Sequence, residues 1–472
     1  MNFIFYDLET TGRNICWDQI LQIGAILTNE KFEVLDSFEA KCYLKPGHIP
    51  SPTALLVNKT TAENLNKTNL SHYNLIQQIE KKFRSWSPAI FIGYNSINFD
   101  EEFLRNSFFK SLHDPYITIN DGNKRADLLG LVRSAHIFFP EILKIPLNEK
   151  GNTTFKLDQI APLNGIHNFS VHDAMGDTIA TMKLAKLINR KNSDLWHSSL
   201  LTTSKEEVNI IIEKEEVFCI TESFFGKTMP FVVTFICYHP KYNWAQCFDL
   251  KHDPSNYINL STELLEHSMS LSPKIIRSVR NNKHPLIMHS NHIIKLKDYS
   301  HLSIMELARR SKILNANEDF KEKIRLILDK QSSEREHPVS QLDINYEETI
   351  YENFSSNKEK LIMKDFHDAD WKDKISVAEK FKEERNYYFA ERLIYEESPN
   401  SLPKNLYENI NRKIAKQILS SNSEKWNTIP EAYKEIDDLR SKYEEEDNKN
   451  IIEILNSLNK FIEDIEKKYQ DA

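Results

Sequence analysis

Glycine and cysteine are both scarce in this chain. Glycine accounts for only 10 of 472 residues, whereas asparagine, lysine and isoleucine are abundant, a bias that we interpret as compositional drift rather than chemistry. The 5 cysteines form no C-x-x-C pair. We therefore expect neither a zinc ribbon nor a disulfide framework, and a reducing cytosol is the natural location.

Long apolar runs and an amino-terminal targeting signal are also missing. No uninterrupted apolar stretch approaches the length that crosses a bilayer. Met1 leads directly into the strand-like run FIFYDLET, with no basic segment and no cleavage site. These absences predict a soluble, cytoplasmic protein without a membrane partner.

Positive net charge, a common sign of nucleic-acid binding, is absent as well, because the formal net charge is −8. Global charge does not exclude such a partner, since an enzyme can hold a phosphate backbone in a local basic groove. Much of the acid lies near the C-terminus, in YEEEDNKNIIEILN and IEDIEKKYQDA, where it need not touch a substrate.

The length of the chain predicts roughly three domains. Strand and helix signals alternate at first, which predicts an α/β domain with a mixed sheet over residues 1–195. Short aromatic and β-branched runs predict a small β-rich domain with connecting helices over residues 196–340. Residues 341–472 read as helical, and HPVSQLDINYEE is the candidate connector.

Individual elements follow from periodicity and turn signals. Three consecutive strands are predicted in FIFYDLET, QILQIGAILT and FEAKCYL, and a short buried strand in PAIFIGYN. Helices are predicted over NFDEEFLRNSFFKSL, ADLLGLVRSAHIFF, FKLDQIAPLNG and DAMGDTIATMKLAKLINR. The last helix has one apolar seam, too short for a coiled coil, which predicts packing in a bundle. The seam consists of Ile451, Leu455, Leu458, Ile462 and Ile465.

Two acids in the first strand give the strongest functional signal. Asp7 and Glu9 are two residues apart, so they project from the same side of one strand. An alternative is a strand-end pair that faces solvent. Converging carboxylates repel one another unless a cation lies among them, and hard oxygen ligands suit Mg²⁺ or Mn²⁺.

Three further residues follow in two later motifs. Asp100 follows the apolar run IFIGYNSINF, where it could also simply cap a helix. His172 and Asp177 lie in HDAMGD, where Asp173 can cap the helix and leave Asp177 about one turn inside it. A histidine free of the metal is a candidate base for activating water. The set is suited to two-metal phosphodiester hydrolysis.

The ordered set Asp7, Glu9, Asp100, His172 and Asp177 resembles that of the DEDDh exonucleases, whose catalytic domain has a ribonuclease-H-like fold. The resemblance is greatest to the bacterial exodeoxyribonuclease I family, through YDLETTG, IGYNSINFDEEFLRN, a helix-opening HDPY, RADLLGLVR and HDAMGDTIATMKLAKL. It continues into FFGKTMPFVVTFICYHP, NNKHP and ENFSSNKEKLIMKDF, and so covers most of the chain. It implies an SH3-like barrel and then a helical domain after the nuclease domain.

The resemblance also implies roles for these residues. Asp7, Glu9 and Asp177 would hold one Mg²⁺ under the nucleophile, with Asp7 bridging to a second ion. Asp100 would serve that second ion, and His172 would deprotonate the attacking water. Mn²⁺ is expected to replace Mg²⁺.

Contacts to the strand follow in the same way. Glu9 and Lys156 would touch the terminal nucleotide, and Arg105, Tyr116 and Arg133 would contact the strand further back. The family usually has arginine where this chain has Lys156, and lysine lacks the bidentate fork, so its grip on phosphate is expected to be looser.

The basic run PKIIRSVRNNKHP allows two interpretations. Its cations are either a solvated surface loop or an edge that contacts phosphate. The resemblance further implies docking of the acidic tail of single-stranded-DNA-binding protein, for which Arg277, Arg309 and Lys321 are candidates. The cations of the run are Lys274, Arg277, Arg280 and Lys283.

Together these observations predict a Mg²⁺-dependent exonuclease. It would degrade single-stranded DNA from the 3′ end to 5′-mononucleotides, in DNA repair and recombination, as a monomer. An RNA-trimming DEDDh exoribonuclease is one alternative, although such relatives are single-domain proteins. A catalytically silent single-strand-binding scaffold is the other, although silence would not require the complete set of acids and the histidine.

Overall fold

The computed structural model describes residues 1–167, 169–224, 226–334, 345–443 and 448–471, without the side chains of residues 294 and 295. Within these residues, strands of a first sheet are interleaved with helices. The strands are β1 (Asn2–Thr10), β2 (Ile20–Thr28), β3 (Val34–Lys41), β4 (Ala89–Gly93) and β5 (Lys124–Asp127). The helices are α1 (Pro52–Val57), α2 (Ala62–Asn66), α3 (His72–Trp86), α4 (Asp100–Lys110), α5 (Leu128–Phe138), α6 (Leu157–Leu163), α7 (Ala174–Lys191) and α8 (Ser193–Leu200).

The first sheet is mixed and has the order β3-β2-β1-β4-β5. β1 pairs antiparallel with β2 and parallel with β4, and β4 pairs parallel with β5. Phe3 and Phe5 lie in one apolar cluster with residues of α5 and α7, whereas Ile4 and Tyr6 lie in another with residues of α3 and α4. Odd-numbered positions of β1 therefore face α7, as the period of two requires.

Gly24 allows α7 to approach the sheet closely. It lies on β2 opposite Asp7, and a Cβ atom there would come within 2.4 Å of the backbone nitrogen of Met175. Thr178 reinforces the contact, because its hydroxyl donates to the carbonyl of Gly24 at 3.0 Å. The first turn of α7 is thereby fixed against the pair of strands that carries the acids.

The second part of the chain is an antiparallel sheet with helices around it. Its order is β10-β6-β7-β8-β9, and β6 pairs antiparallel with β7. The strands are β6 (Phe218–Phe224), β7 (Lys227–Tyr238), β8 (Ala245–Asp249), β9 (Ile276–Val279) and β10 (Ile287–His289). The helices are α9 (Lys205–Lys214), α10 (Thr262–Ser270), α11 (Ile304–Asn315) and α12 (Glu318–Glu334).

Helices predominate in the described residues from 345 onward. The seam on the last helix is buried against its neighbours, so bundle packing is confirmed. The cluster that contains it also includes Leu55 of α1 and Tyr73 of α3, so these helices pack directly on the first domain. They are α13 (Asn357–Asp368), α14 (Lys374–Ala378), α15 (Glu384–Glu397), α16 (Lys404–Ile418), α17 (Ile429–Tyr443) and α18 (Lys449–Gln470).

The predicted fold class is confirmed: an α/β domain, a β-rich part and C-terminal helices follow one another. The description of the β-rich part as SH3-like stays a prediction. In the described part of the chain, none of the helices combines the length and the apolarity needed to cross a bilayer. The boundary predicted at residue 195 falls inside α8, whose Leu195 and Trp196 pack with Phe3. The connector HPVSQLDINYEE and the boundary at residue 340 lie largely outside the described residues.

Two local predictions were wrong. HDPY does not open a helix, because residues 113–116 form turns after α4. FEAKCYL is not one strand either, since β3 begins at Val34 and ends at Lys41. Neither a short motif nor an apolar pattern determines where the chain turns.

The basic run is not uniform: Lys274 and Arg280 are exposed, whereas Arg277 is buried. Arg277 is only 8% exposed on β9, where it pairs with Glu222 and Asp249 at 3.0 and 3.4 Å. Arg277 is therefore wrong as a candidate for docking an acidic tail, because two acids of the chain already pair with it. Arg280 packs over the ring of Trp244 at 4.6 Å.

Gly24→Ala should destabilise the protein by roughly 1–3 kcal/mol, because the new methyl group overlaps backbone that has no room to move. Gly130→Ala on α5 is the matched control. Its Cβ would meet only Leu286 Cδ2, at 3.7 Å, so a neutral or slightly stabilising effect is expected. Equilibrium unfolding in urea measures both, and equal effects would contradict the close approach.

Candidate active site

Asp7 and Glu9 lie near the carboxyl end of β1, on the side that faces α7. β1, β4 and β5 run parallel, so their carboxyl ends meet at one edge of the sheet, where ligand sites of α/β folds gather. The alternative of a solvent-facing pair does not apply, because both side chains are partly buried between the sheet and α7.

Asp177 completes the cluster from the first turn of α7. One carboxylate oxygen from each of Asp7, Glu9 and Asp177 lies within 4.8 Å of the others. The helix begins where predicted, since the side chain of Asp173 accepts a hydrogen bond from the backbone of Gly176 at 3.2 Å. Gly176 is required here, because a Cβ would come within 2.1 Å of the carbonyl oxygen of Ser170.

His172 precedes the cap with a backbone φ of 60°, in the left-handed region that non-glycine residues seldom adopt. This conformation turns the chain sharply before α7. The imidazole borders two clefts, one shared with Glu9 and the other with Asp177. Burial lowers the pKa of His172, and the nearby Lys59 and Lys156 act in the same direction, so the neutral base form is favoured.

Asp100 is the first residue of α4 and is 4% exposed. Its Oδ1 accepts a hydrogen bond from the backbone N–H of Leu8, between the two acids of β1, at 3.1 Å. Asp100 therefore does more than begin a helix, because it ties α4 to the strand that carries Asp7 and Glu9. Asn95, in contrast, is a turn residue, with φ of 64°.

The four carboxyl groups share one electrostatic environment. Burial, and next to it Asp177, raise the pKa of Glu9 to about 8. Burial also raises the pKa of Asp177 to about 6. The pKa of Asp7 is raised by burial and by its acidic neighbours Asp100, Asp177 and Glu9. Without a cation the cluster resists full ionisation, and a divalent ion among the carboxylates would relieve that repulsion.

The clefts beside the cluster supply room for a substrate. A cavity of about 840 Å³ is lined by Asp177, His172, Lys156 and Arg133, together with Phe224 on the hairpin between β6 and β7. The predicted site residues Lys156 and Arg133 thus border the same cavity as His172 and Asp177. The β-rich part of the chain closes the far side of this cavity.

Arg105 and Tyr116 lie elsewhere. Neither belongs to the described residues that line the large cavity. Arg105 packs over the ring of Tyr116 at 5.3 Å and pairs with Glu101 at 2.6 Å, so its guanidinium is largely buried. Tyr116 borders a separate groove of about 740 Å³, together with Phe354.

Two residues of the site's surroundings were missed from the sequence. Asp127 ends β5 and accepts backbone hydrogen bonds from Asn95 and Ile97 at 2.9 and 3.3 Å. Its place between a strand and an apolar helix in RADLLGL is the signal that could have found it. Gln22, opposite Glu9 on β2, donates to the helix cap Asp173 at 2.9 Å. Nothing local in the sequence marks that contact.

Known proteins resemble this chain over the part that carries the carboxylate cluster. Residues 4–185 match the family model described as exonuclease. They form an exonuclease domain. The exodeoxyribonuclease I of Escherichia coli K12 is 27% identical over 380 residues, which are 77% of this chain and 78% of that protein. That of Buchnera aphidicola subsp. Acyrthosiphon pisum is 26% identical over 371 residues, 76% of this chain and 88% of that protein.

Solved structures match over the whole chain. Exonuclease I of Escherichia coli, in complex with a dA16 oligonucleotide, superposes with a TM-score of 0.84 and 22% identity, covering 98% of this chain and 99% of that one. At this identity the likeness shows the fold. The predicted resemblance to exodeoxyribonuclease I is confirmed, as is the prediction that the chain is a nuclease.

Glu9→Gln should raise the melting temperature of the metal-free protein at pH 8.5 but not at pH 4. The folded pKa of about 8 lies above the usual glutamate value of about 4.3, so stability is lost as the pH rises from the lower value through the higher one. The amide removes that loss. A rise of roughly 2 °C per kcal/mol of relieved repulsion is expected at pH 8.5.

The measurement is thermal unfolding with a chelator, and Glu206→Gln on the exposed face of α9 is the control. Mg²⁺ should reverse the order, because it stabilises the wild type more than the variant. A Glu9→Gln effect that does not depend on pH would show that the carboxylates do not repel one another.

Proposed function

We propose that this chain is a Mg²⁺-dependent 3′→5′ exonuclease that degrades single-stranded DNA to 5′-mononucleotides. The observation that carries the proposal is the carboxylate cluster of Asp7, Glu9 and Asp177, with His172 beside it, at a cavity large enough for a nucleotide. Oxygen-only ligands of this kind suit a hard divalent cation.

The donor set fits the two ions expected of such an enzyme. Asp7, Glu9 and Asp177 would hold one ion, and Asp7 and Asp100 would hold the other. When bound, the ions would supply Lewis-acid activation of water and stabilise charge on the leaving oxygen. Mn²⁺ offers the same preference for oxygen ligands and would substitute.

His172 is proposed as the base that takes the proton from the attacking water. Its lowered pKa keeps the imidazole neutral near pH 7, so the nitrogen lone pair is available. The loop that carries it packs closely on α7, because the carbonyl oxygen of Ser170 would lie 2.1 Å from a Cβ at Gly176.

The terminal nucleotide would be held by the walls of the large cavity and of the cleft beside it, which His172 also borders. Glu9 would contact the sugar end, and Lys156 and Arg133 would contact phosphate. Lys156 would bind one oxygen as a point charge, since it lacks the fork of an arginine. The hairpin between β6 and β7 would cover the nucleotide from the opposite side.

A path for the rest of the strand is offered by the second groove. Phe354 is 82% exposed and lies 5.7 Å from the ring of Tyr116, which Arg105 supports from behind. Exposed aromatic rings stack on unpaired bases whatever their sequence. Asp100 begins α4 and Phe109 near its end borders this groove, so the groove lies roughly 14 Å from Asp100, a few nucleotides away.

The setting of the reaction follows from the same resemblance. We propose a cytoplasmic monomer that acts in DNA repair and recombination and docks the acidic tail of single-stranded-DNA-binding protein. Four of the five cysteines are buried as free thiols, which supports a reducing compartment. Residues 1–195, 196–340 and 341–472 remain the proposed domains.

Asp7→Asn should reduce hydrolysis of single-stranded DNA by roughly a thousandfold or more, because a metal-bridging charge is worth several kcal/mol in the transition state. The assay compares 3′-labelled and 5′-labelled DNA and RNA oligonucleotides, with and without Mg²⁺. The wild type should release the 3′ label at once and shorten the 5′-labelled DNA stepwise.

Asp194→Asn, on an exposed position of α8, is the control and should match the wild type. Faster cleavage of RNA than of DNA would favour the exoribonuclease alternative. Binding of a single strand without cleavage, in Mg²⁺ and in Mn²⁺, would favour the silent scaffold.

His172→Ala should lower the rate by about a hundred- to ten-thousandfold while metal affinity is kept, because the imidazole is a base and not a ligand. The wild-type rate should fall as the imidazole becomes protonated, at a pH below the ordinary histidine pKa because burial lowers the pKa of His172, and the variant should lose this limb. Calorimetric titration with Mn²⁺ measures metal binding, with His267→Ala as control. Weaker Mn²⁺ binding by the variant would make His172 a ligand instead.

A further inference from the structure

A turn of the β-rich part reaches across to the segment that carries Asp100. This crossing turn, residues 281–284, follows β9, and its backbone is held by Arg125, which donates to the carbonyl of Asn282. Lys283 and His284 then point into the exonuclease domain. Neither residue borders the cavity beside the carboxylate cluster, among the described residues that line it.

Lys283 makes two hydrogen bonds in the exonuclease domain. Its Nζ donates to the carbonyl oxygen of Ile97 at 3.0 Å and to Oε1 of Glu102, also at 3.0 Å. Ile97 lies three residues before Asp100, and Glu102 lies two residues after it. The ammonium group therefore joins the two ends of the short segment that contains the proposed metal ligand.

His284 secures the same segment from its other side. Its Nδ1 accepts a hydrogen bond from the backbone of Asp127 at 3.0 Å, and its Nε2 donates to the carbonyl of Ser199 at 2.8 Å. Asp127 in turn accepts from the backbone N–H groups of Asn95 and Ile97. Ile97 is thus held at its N–H through Asp127 and at its C=O by Lys283.

The C-terminal part of the chain contacts the same place. Tyr351 donates its hydroxyl proton to the second carboxylate oxygen of Glu102. Glu102 therefore receives one hydrogen bond from the β-rich part, from Lys283, and one from the helical part, from Tyr351. Both extensions meet on the first turn of α4, directly beside Asp100.

We propose that Lys283 is a positioning residue for Asp100, through which the β-rich domain sets the geometry of the second metal site. This inference rests on the proposed function. The segment from Asn95 to Asp100 contains a left-handed residue and a short 3₁₀ turn, so it lacks the repeating backbone hydrogen bonds of a long helix or strand. Side-chain contacts from Asp127 and from Lys283 hold its backbone, and Lys283 belongs to the crossing turn.

The test replaces the ammonium group and keeps the shape of the side chain. Lys283→Met should raise the Mg²⁺ concentration for half-maximal activity by about tenfold, as loss of a ligand's supporting partner does. Binding of a dT oligonucleotide in a chelator should not change, because Lys283 does not contact the strand. Lys283→Arg should restore much of the metal response, and Lys214→Met, an exposed lysine on α9, is the control.

Two readouts do not depend on catalysis. Calorimetry with Mn²⁺ should show one of two sites weakened in Lys283→Met. Hydrogen exchange should be faster in the peptide that covers residues 95–102 and unchanged in β1. In an Asp100→Asn background, Lys283→Met should cost little further activity, since both changes act on one site.

The outcomes are distinct. Wild-type metal affinity and wild-type exchange in Lys283→Met would overturn the inference, whether or not the protein cleaves DNA. Weaker oligonucleotide binding in the chelator would also overturn it and return Lys283 to the role of a phosphate contact. A wild-type protein that binds Mn²⁺ but cleaves nothing would refute the proposed function and leave the positioning role to the calorimetric and exchange results.

Discussion

Mutual repulsion among four carboxyl groups is the constraint on which the rest of the structure depends. The groups belong to Asp7, Glu9, Asp100 and Asp177. Burial and like charge both oppose their ionisation, so the protein must hold them together against their mutual repulsion. It does so with backbone. β1 is hydrogen-bonded on both edges, to β2 and β4, and α7 is fixed against it by the close approach at Gly24. The acids are therefore carried by elements that cannot separate, which is what preorganised metal binding requires.

The parts of this arrangement that are local in sequence could be predicted. Two acids at spacing two on a strand share a face, and an aspartate three residues before a helical N–H caps that helix, so Asp7, Glu9 and Asp173 were placed correctly. Contacts between distant segments could not be predicted. A basic residue in the sequence does not reveal where its acid lies, and for this reason Arg277, buried between Glu222 and Asp249, was taken for a surface or docking residue.

Basic side chains in this chain either border the large cavity or form buried ion pairs, and composition alone does not distinguish the two. Lys156 and Arg133 border the large cavity and remain available to a phosphate. Arg105, Arg125 and Arg277 are buried and paired with acids of the chain itself. A few free cations placed at the cavity are enough to offer a phosphate a local site on an acidic protein. For the same reason, net charge neither supports nor excludes the partner that we propose.

The apolar cores cross the limits of the domains. One cluster joins Phe3 of the first sheet to Val232 of the second, and another joins Tyr73 of α3 to Leu458 of α18. Each of the two extensions thus shares a core with the exonuclease domain. Recombination between related genes would have to exchange matching halves of each interface at once, or leave cavities and overlaps on both sides. Such a chain is expected to be inherited whole, and its relatives to diverge by coordinated substitution across the shared cores rather than by shuffling of modules.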